Sequence, residues 1–176
     1  MQRLADSKAA GAVDAADGAQ LVLGADTIVV QDGRILGKPT TADDAHTMLK
    51  TLAGRTHDVL TGLTLIETAT GRRAACVARS QVPMLGYAHA AIDAYVAGGS
   101  PMDKAGAYGI QDSEFNPVDL AAFFDCFTNV MGLPLCRLDQ AMDALGYRPP
   151  HDLASACQAY GQHAVPPWRG AVQSAA

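Results

Sequence analysis

Leu21-Val-Leu-Gly-Ala-Asp-Thr-Ile-Val-Val30 is an apolar segment rich in β-branched residues, a composition typical of a buried strand. One acid, Asp26, lies in the middle of it. A carboxylate in such a strand is costly unless it is paired, hydrogen-bonded or bound to a metal. Asp26 is therefore either an acid that faces a cleft or a structural acid with its partners nearby. The segment alone leaves both interpretations open.

The composition indicates one globular domain. The chain has 176 residues, of which 49% are apolar and 18% charged, enough for a hydrophobic core. The formal net charge of -5 argues against a nucleic-acid surface but permits a small anionic ligand held by a few lysines. We expect no secretory signal and no membrane partner. Four cysteines without a CxxC pair indicate reduced thiols, and hence a cytoplasmic protein.

Local patterns predict hairpins and helices on both sides of this strand. The predicted elements are a helix over 1–10, a hairpin over 20–36, a helix capped by Thr41, a hairpin over 57–84, a helix over 88–96, a short strand over 121–124 and a helix over 135–145. After Tyr147 the sequence becomes irregular and contains several prolines, with a weak helix near 152–160. This order predicts an α/β or α+β domain with a mixed sheet.

Several polar residues interrupt or follow these elements. Asp26 and Thr27 lie in the first strand, Lys38 lies in a Gly-Lys-Pro turn, and Lys104 and Gln111 flank a glycine-containing loop. One carboxylate with several cations suits metal-assisted phosphate chemistry, since the acid holds a metal or a water and the cations hold phosphate oxygens. Each residue taken singly also fits a solvated turn or a surface pair.

Several blocks taken together carry a family resemblance. The blocks are Gly24-Ala-Asp-Thr-Ile-Val-Val30, Leu36-Gly-Lys-Pro39, Ala45-His-Thr-Met-Leu49, Leu52-Ala-Gly-Arg-Thr-His57, Thr61-Gly62, Asp103-Lys-Ala-Gly-Ala-Tyr-Gly-Ile-Gln111 and Asn129-Val-Met-Gly-Leu-Pro-Leu135. In this order they resemble the Maf family of nucleoside triphosphate pyrophosphatases, over about residues 4–146. Agreement of several blocks is more specific than any single motif.

The resemblance implies a fold and a reaction. The fold would be α/β, related to the inosine triphosphate pyrophosphatases, with an elongated mixed β-sheet flanked by helices and two lobes with a cleft. The reaction would cleave a nucleoside triphosphate between its α- and β-phosphates, with a divalent metal, Mg²⁺ or Mn²⁺. A homodimer is also expected.

The resemblance also implies roles for six residues. Asp26 would be the proton acceptor or the metal partner for the attacking water. The positions that match the family's phosphate-contacting cations are Lys8, Lys38 and Lys104. Thr27 and Gln111 match positions tied to base choice, and their form resembles the branch that acts on dTTP and UTP.

Two departures from the family pattern bear on these expectations. The family's first strand and its Ser-x-Ser-Pro-Arg-Arg loop are not in this sequence, so we expect an N-terminally truncated domain over 1–147, followed by a flexible tail over 148–176. An alternative function follows, namely a non-catalytic nucleotide-binding or cell-division regulatory protein. In addition, Asp112-Ser-Glu-Phe-Asn-Pro117 replaces a glycine-rich loop, which makes the base specificity less secure.

Overall fold

The structure, a computed structural model, describes residues 1–113, 115–161 and 173–175. The elements in order are α1 (Gln2–Ala12), β1 (Leu21–Gln31), β2 (Arg34–Leu36), α2 (Ala42–Leu52), β3 (Thr56–Glu67), β4 (Arg73–Pro83), α3 (His89–Ala97), α4 (Phe127–Val130), α5 (Leu135–Ala144), α6 (Leu153–Gly161) and β5 (Gln173–Ala175). Two short 3-10 helices, Ser100–Asp103 and Ala105–Ala107, lie between α3 and α4. The predicted helices and hairpins are present within a few residues of their expected bounds.

The strands form one sheet in the order β2-β1-β3-β4-β5. Strands β1 to β4 are antiparallel and flanked by helices, so the α/β class is confirmed. Where a mixed sheet was expected, these four strands pair in the antiparallel sense. The β1–β2 hairpin pairs Gln31 with Arg34 across a two-residue turn. Both turn residues have positive φ, 51° at Asp32 and 74° at Gly33, which matches the twist of an antiparallel hairpin.

Helix α2 begins at the predicted cap. The hydroxyl of Thr41 accepts a hydrogen bond from the Asp44 backbone N–H at 3.1 Å. The Asp44 carboxylate in turn accepts from the Thr40 hydroxyl, and from the Thr40 backbone N–H at 3.0 Å. The bonds from Thr40 lower the pKa of Asp44. In the usual capping box the third residue of the helix accepts from the N–H of the cap residue, whereas here Asp44 accepts from the N–H of Thr40, one residue earlier. The bond from the Asp44 N–H to Thr41 satisfies a donor that has no partner within the helix.

The chain divides into two compact units. Unit 1 comprises Met1–Thr27, Leu60–Arg79 and Cys126–Ala176, and unit 2 comprises Ile28–Val59 and Ser80–Asp125. Strands β1, β3 and β4 each contribute residues to both units. The predicted cleft and the predicted domain bounds at 147 and 148 stay predictions.

The core of unit 1 lies between its strands and its helices. Leu63 and Leu65 of β3 pack with Ala74 and Cys76 of β4, against Ala141 and Leu145 of α5. Across from this cluster, α1 contributes Ala9 to a second cluster with Val22 and Ile66. Each buried side chain of this size contributes roughly 1.5–3 kcal/mol relative to exposure, with the small alanines well below that range.

Unit 2 has a core of its own in which α2 packs against α3. Three aromatic rings, those of Tyr87, Tyr95 and Phe115, contact one another beside these helices. Phe115 lies 5.4 Å from the ring of Tyr87 and 4.8 Å from that of Tyr95. The hydroxyl of Tyr87 donates to the Leu49 carbonyl of α2 at 2.6 Å, so this group also holds α2.

The short strand predicted at 121–124 is wrong. Ala121 and Ala122 lie in a turn, followed by Phe123, which is buried, and Phe124, which is 77% exposed. The Asp119 carboxylate accepts hydrogen bonds from the backbone N–H groups of Ala121 and Ala122, at 3.1 and 3.2 Å. Such local side-chain bonds compete with strand pairing, because they occupy the donors that a sheet partner would need.

The weak helix expected near 152–160 is α6. It packs against α4 and α5, and its Cys157 is buried with Cys126 and Cys136. All four cysteines are buried thiols, in agreement with the reduced thiols that the sequence predicts. The rest of the expected tail includes 162–172, which lies outside the described residues. Within the described ranges, none of the helices has the length and apolar character to cross a membrane.

Candidate active site

Two glycines seat α1 directly on the strands of unit 1. A Cβ on Gly24 of β1 would overlap the Ala5 carbonyl and lie 2.9 Å from the Ala9 Cβ. A Cβ on Gly62 of β3 would lie 2.8 Å from the Cα of Gln2. Contacts this short leave room for glycine alone, so the helix backbone lies against both strands. This close approach brings the side chains of α1 within reach of the middle of β1.

Lys8 of α1 pairs with Asp26 of β1. The lysine Nζ donates to Asp26 Oδ1 at 2.6 Å and to the Ala25 carbonyl at 3.1 Å. The side chain of Asp26 is 14% exposed and that of Lys8 56% exposed. A charge-assisted bond of this length is strong, and it satisfies one oxygen of the half-buried carboxylate. The second oxygen, Oδ2, has no hydrogen bond from the residues that the structure describes.

Both interpretations of Asp26 therefore hold in part. The acid is satisfied by an ion pair, as a structural acid would be, and it retains contact with solvent, as a functional acid requires. Its partner is a half-exposed lysine, whose flexible ammonium can turn towards another anion. The pair can thus exchange its internal bond for contacts with a phosphate and a water.

Thr27, the next residue along β1, takes part in a hydroxyl network. Its Oγ1 lies 2.9 Å from Oγ1 of Thr61 on β3. Thr61 is completely buried and donates to the Asn129 carbonyl at the end of α4, at 3.2 Å. Gly132, with φ of +101°, passes so close that a Cβ there would lie 3.3 Å from Thr27 Oγ1.

The network partners of Thr27 were not among the predicted site residues. Thr61 and Asn129 do lie in the Thr61-Gly62 and Asn129–Leu135 blocks that carry the family resemblance. Their sequence separations from Thr27, 34 residues for Thr61 and more for Asn129, conceal the contact. The pairing of β1 with β3 brings Thr61 to Thr27, and the position of α4 brings the Asn129 carbonyl to Thr61.

In unit 2, Lys104 is held by a set of oxygen atoms. Its Nζ donates to the Ser100 carbonyl at 2.5 Å, the Ser100 hydroxyl at 3.2 Å and Asp103 Oδ1 at 3.1 Å. Asp112 Oδ2 lies 3.7 Å away, and the lysine side chain is 21% exposed. The ammonium of Lys104 lowers the pKa of Asp103, and the exposed Lys38 adds to that effect. Two of the three predicted cations therefore act on the same carboxylate.

Asp112 organises this part of unit 2. It accepts hydrogen bonds from the Tyr95 hydroxyl and, at 3.0 Å, from the Ser100 hydroxyl. Burial, together with the Asp112 carboxylate, raises the pKa of Tyr95, so the phenol stays protonated and keeps donating. A Cβ on Gly109 would lie 2.7 Å from Asp112 Oδ1, so the turn needs a glycine there. From the sequence, Asp112 is only the first residue of a segment that replaces the family's glycine-rich loop, and no role was predicted for it.

The loop that carries Lys104 is tightly constrained. Gly106 has φ of 73° and Ala107 has φ of 63°, an uncommon conformation for a non-glycine residue. A Cβ on Gly106 would lie 3.0 Å from Cγ2 of Val29 in β1. The loop is therefore pressed against the strand, and backbone strain of this kind persists only where the surroundings enforce it.

The donor set of the described residues bears on the expected metal. Within these ranges, no group of three or more His, Cys, Asp or Glu side chains forms a preformed metal site. Asp26 offers one carboxylate, with an oxygen that makes no protein hydrogen bond. Mg²⁺ is commonly bound by one or two carboxylates together with substrate phosphates and water. Asp26 fits such a shared site, whereas the described residues offer no all-protein cage.

The six predicted site residues fall into two groups. Lys8 and Asp26 form an ion pair in unit 1, and Thr27 follows Asp26 along β1 in the same unit. Unit 2 holds Lys38, Lys104 and the exposed Gln111. The roles assigned to all six residues stay predictions.

The fold and these groups define an α/β protein with two features. The Lys8–Asp26 ion pair lies on β1, the second strand in the order of the sheet, and the hydrogen-bonded Lys104 lies next to the constrained loop. A family model described as Maf-like protein matches residues 1–145. The chain belongs to this family, as the resemblance implied.

Curated relatives carry the name dTTP/UTP pyrophosphatase. One from Dehalococcoides mccartyi is 43% identical over 129 residues, which cover 73% of this chain and 57% of the relative. One from Dictyoglomus thermophilum is 44% identical over 127 residues, covering 72% and 65%. A Geobacter relative is 42% identical over 146 residues, covering 83% and 74%. The chain thus spans 57% and 65% of the length of the first two relatives.

Proposed function

We propose that the protein hydrolyses nucleoside triphosphates to a nucleoside monophosphate and pyrophosphate, with dTTP and UTP as its preferred substrates. The observation that carries the proposal is the Asp26–Lys8 pair, which holds a carboxylate and a half-exposed cation 2.6 Å apart on β1. The family membership and the printed names of the relatives support the same reaction.

In this reaction a water oxygen forms a bond to the α-phosphorus, and the bond to the oxygen that bridges to the β-phosphorus breaks. Asp26 accepts the proton that the water loses, which is the role of a general base within hydrogen-bond reach of its substrate. Lys8 turns from Asp26 to a phosphate oxygen when the substrate binds, which frees the carboxylate. Pyrophosphate leaves with the electron pair of the broken bond.

The remaining predicted residues bind the substrate. Lys38 and Lys104 hold phosphate oxygens and offset the charge that develops on the leaving pyrophosphate. Thr27 and Gln111 contact the base. A divalent metal, Mg²⁺ or Mn²⁺, would be held by Asp26 together with phosphate oxygens, and when bound it supplies charge neutralisation on the phosphates.

The test is release of pyrophosphate from a panel of dTTP, UTP, CTP, ATP and GTP in the presence of Mg²⁺. Replacement of Asp26→Asn keeps the shape of the side chain and removes the base, so kcat is expected to fall by roughly 10²–10⁴-fold. Asp143→Asn is the matched control, since Asp143 is 71% exposed in a surface pair with Arg148. Unchanged turnover in Asp26→Asn would show that Asp26 is not the proton acceptor.

The same panel separates the enzyme from the non-catalytic alternative. A chain that binds a nucleotide in calorimetry but releases no pyrophosphate from any member of the panel would be a nucleotide-binding or cell-division regulatory protein. Turnover of dTTP or UTP above the other nucleotides is the outcome expected of the enzyme.

Two properties of the whole protein complete the proposal. We propose a cytoplasmic location, supported by four buried cysteine thiols, because disulfides are rare in that compartment. We also propose a homodimer, on the strength of the family resemblance alone. Size-exclusion chromatography with light scattering tests the homodimer, and a monomeric mass at micromolar concentration would contradict it.

A further inference from the structure

The direction of each hydrogen bond in the Thr27 network follows from the chemistry of its members. A carbonyl oxygen only accepts, so the bond between Thr61 and the Asn129 carbonyl uses the hydroxyl hydrogen of Thr61. A hydroxyl carries a single hydrogen. Thr61 therefore has none left for Thr27, and the 2.9 Å bond between the two hydroxyls must be donated by Thr27.

This direction determines what Thr27 offers to a ligand. Its one hydrogen points to Thr61, so the oxygen of the half-buried Thr27 presents only lone pairs outward. Thr61 is completely buried, which leaves water no access to supply an alternative partner. Reversal of the bond would cost the network one hydrogen bond, because Thr61 would no longer donate to the Asn129 carbonyl, which would keep only its bond from the Gly132 N–H at 3.0 Å.

We propose that Thr61 is a positioning residue that fixes Thr27 as a hydrogen-bond acceptor, so that the site selects a base whose ring nitrogen carries a hydrogen. Uracil and thymine present an N3–H donor, whereas N3 of cytosine is an acceptor. Two acceptors placed face to face repel each other and leave both unsatisfied. This inference rests on the proposed function, because it assigns the base-choosing position to Thr27.

The probes are UTP, CTP and N3-methyl-UTP, which differ in the group at N3. For the unaltered chain, kcat/KM with UTP is expected to exceed that with CTP and with N3-methyl-UTP by about tenfold or more, the scale of one lost hydrogen bond to a positioned polar group. A methyl group at C5, as in dTTP, leaves N3 unchanged and should be tolerated.

The variants separate positioning from folding. Thr61→Val keeps the volume and removes the acceptor for the Thr27 hydrogen, so Thr27 can rotate and donate to CTP, and the UTP/CTP ratio is expected to fall at least fivefold. Thr61→Ser restores the hydroxyl and should restore the ratio. Thr64→Val is the matched control, since Thr64 lies on the same strand, is equally buried and bonds to Asp6 instead. Its UTP/CTP ratio should equal that of the unaltered chain.

The outcomes distinguish this inference from the proposed function. UTP turnover with equal use of N3-methyl-UTP, or a folded Thr61→Val chain with an unchanged ratio, overturns the inference alone. If no nucleotide is hydrolysed, the dissociation constants of UTP and CTP from calorimetry replace kcat/KM. A retained preference for UTP that Thr61→Val removes then supports the inference while the hydrolase proposal fails. Absence of any UTP binding overturns both.

Discussion

His57 is expected to make the stability of the protein depend on pH between about 4 and 6.5. The imidazole lies in β3, 3% exposed, with Nε2 2.8 Å from the hydroxyl of Tyr108. Its Nδ1 is buried without a hydrogen-bond partner among the described residues. Burial disfavours the imidazolium and lowers the pKa of His57 to about 4, and the charge of Asp58 offsets only part of that effect.

The sign and the size of the dependence follow from linkage. In the unfolded chain the pKa of His57 is 6.5, so between 6.5 and about 4 the unfolded state binds more protons than the folded state. The stabilisation is complete above pH 6.5 and is lost as the pH falls towards 4. At 1.36 kcal/mol per pKa unit the full loss is about 3 kcal/mol, of which about 2.5 kcal/mol is reached by pH 4.5.

The assay is urea denaturation at pH 7.0, 5.5 and 4.5, followed by circular dichroism. His57→Gln keeps a hydrogen-bonding group for Tyr108 and does not titrate, so its free energy of unfolding should lack the drop seen in the unaltered chain. His89→Gln replaces an exposed histidine and is the matched control. Aspartates with a lowered pKa, such as Asp32, lose their contribution only below the usual aspartate pKa of 3.8. Glu67, whose pKa is lowered from 4.5, begins to lose its contribution at the lowest pH of the series, but it does so in the unaltered chain and in His57→Gln alike. Equal pH dependence in the unaltered chain and in His57→Gln would refute the reasoning.

Two further substitutions probe the supports of the candidate site. Gly24→Ala on β1 would place a methyl group against the backbone of α1 and should lower the free energy of unfolding by about 1–3 kcal/mol. Gly11→Ala, on α1 itself, is the control, because its methyl group meets no atom within 4 Å and should not lower the free energy of unfolding. Equal midpoints of the two variants in thermal unfolding would contradict the close packing of α1. Asp112→Ala leaves the Tyr95 hydroxyl without its acceptor and should lower stability by about 1–3 kcal/mol in urea denaturation. The exposed Ser113→Ala is its control, and no difference between the two variants would show that Asp112 does not organise the loop.

Local elements were predictable because their signals are local. The alternation around Asp32-Gly33 indicates a hairpin, and both residues adopt the positive φ that a two-residue turn requires. Thr41 caps α2 because its hydroxyl reaches an N–H only three residues away. The predicted strand at 121–124 was wrong because the backbone N–H of Ala121 donates to the nearby Asp119 carboxylate. The apolar pattern that predicted a strand does not show whether a backbone N–H pairs with another strand or with a side chain.

The sequence by itself determined the strand that carries Asp26, the helices and hairpins beside it, and the family to which the chain belongs. The tertiary structure decided which groups satisfy that acid and how its neighbour Thr27 is oriented, since Lys8 and Thr61 are 18 and 34 residues away from their partners. Periodicity reports only which face of an element is apolar. A hydrogen bond depends on distances of a few tenths of an ångström, and these exist only once β1, β3 and α1 are packed together.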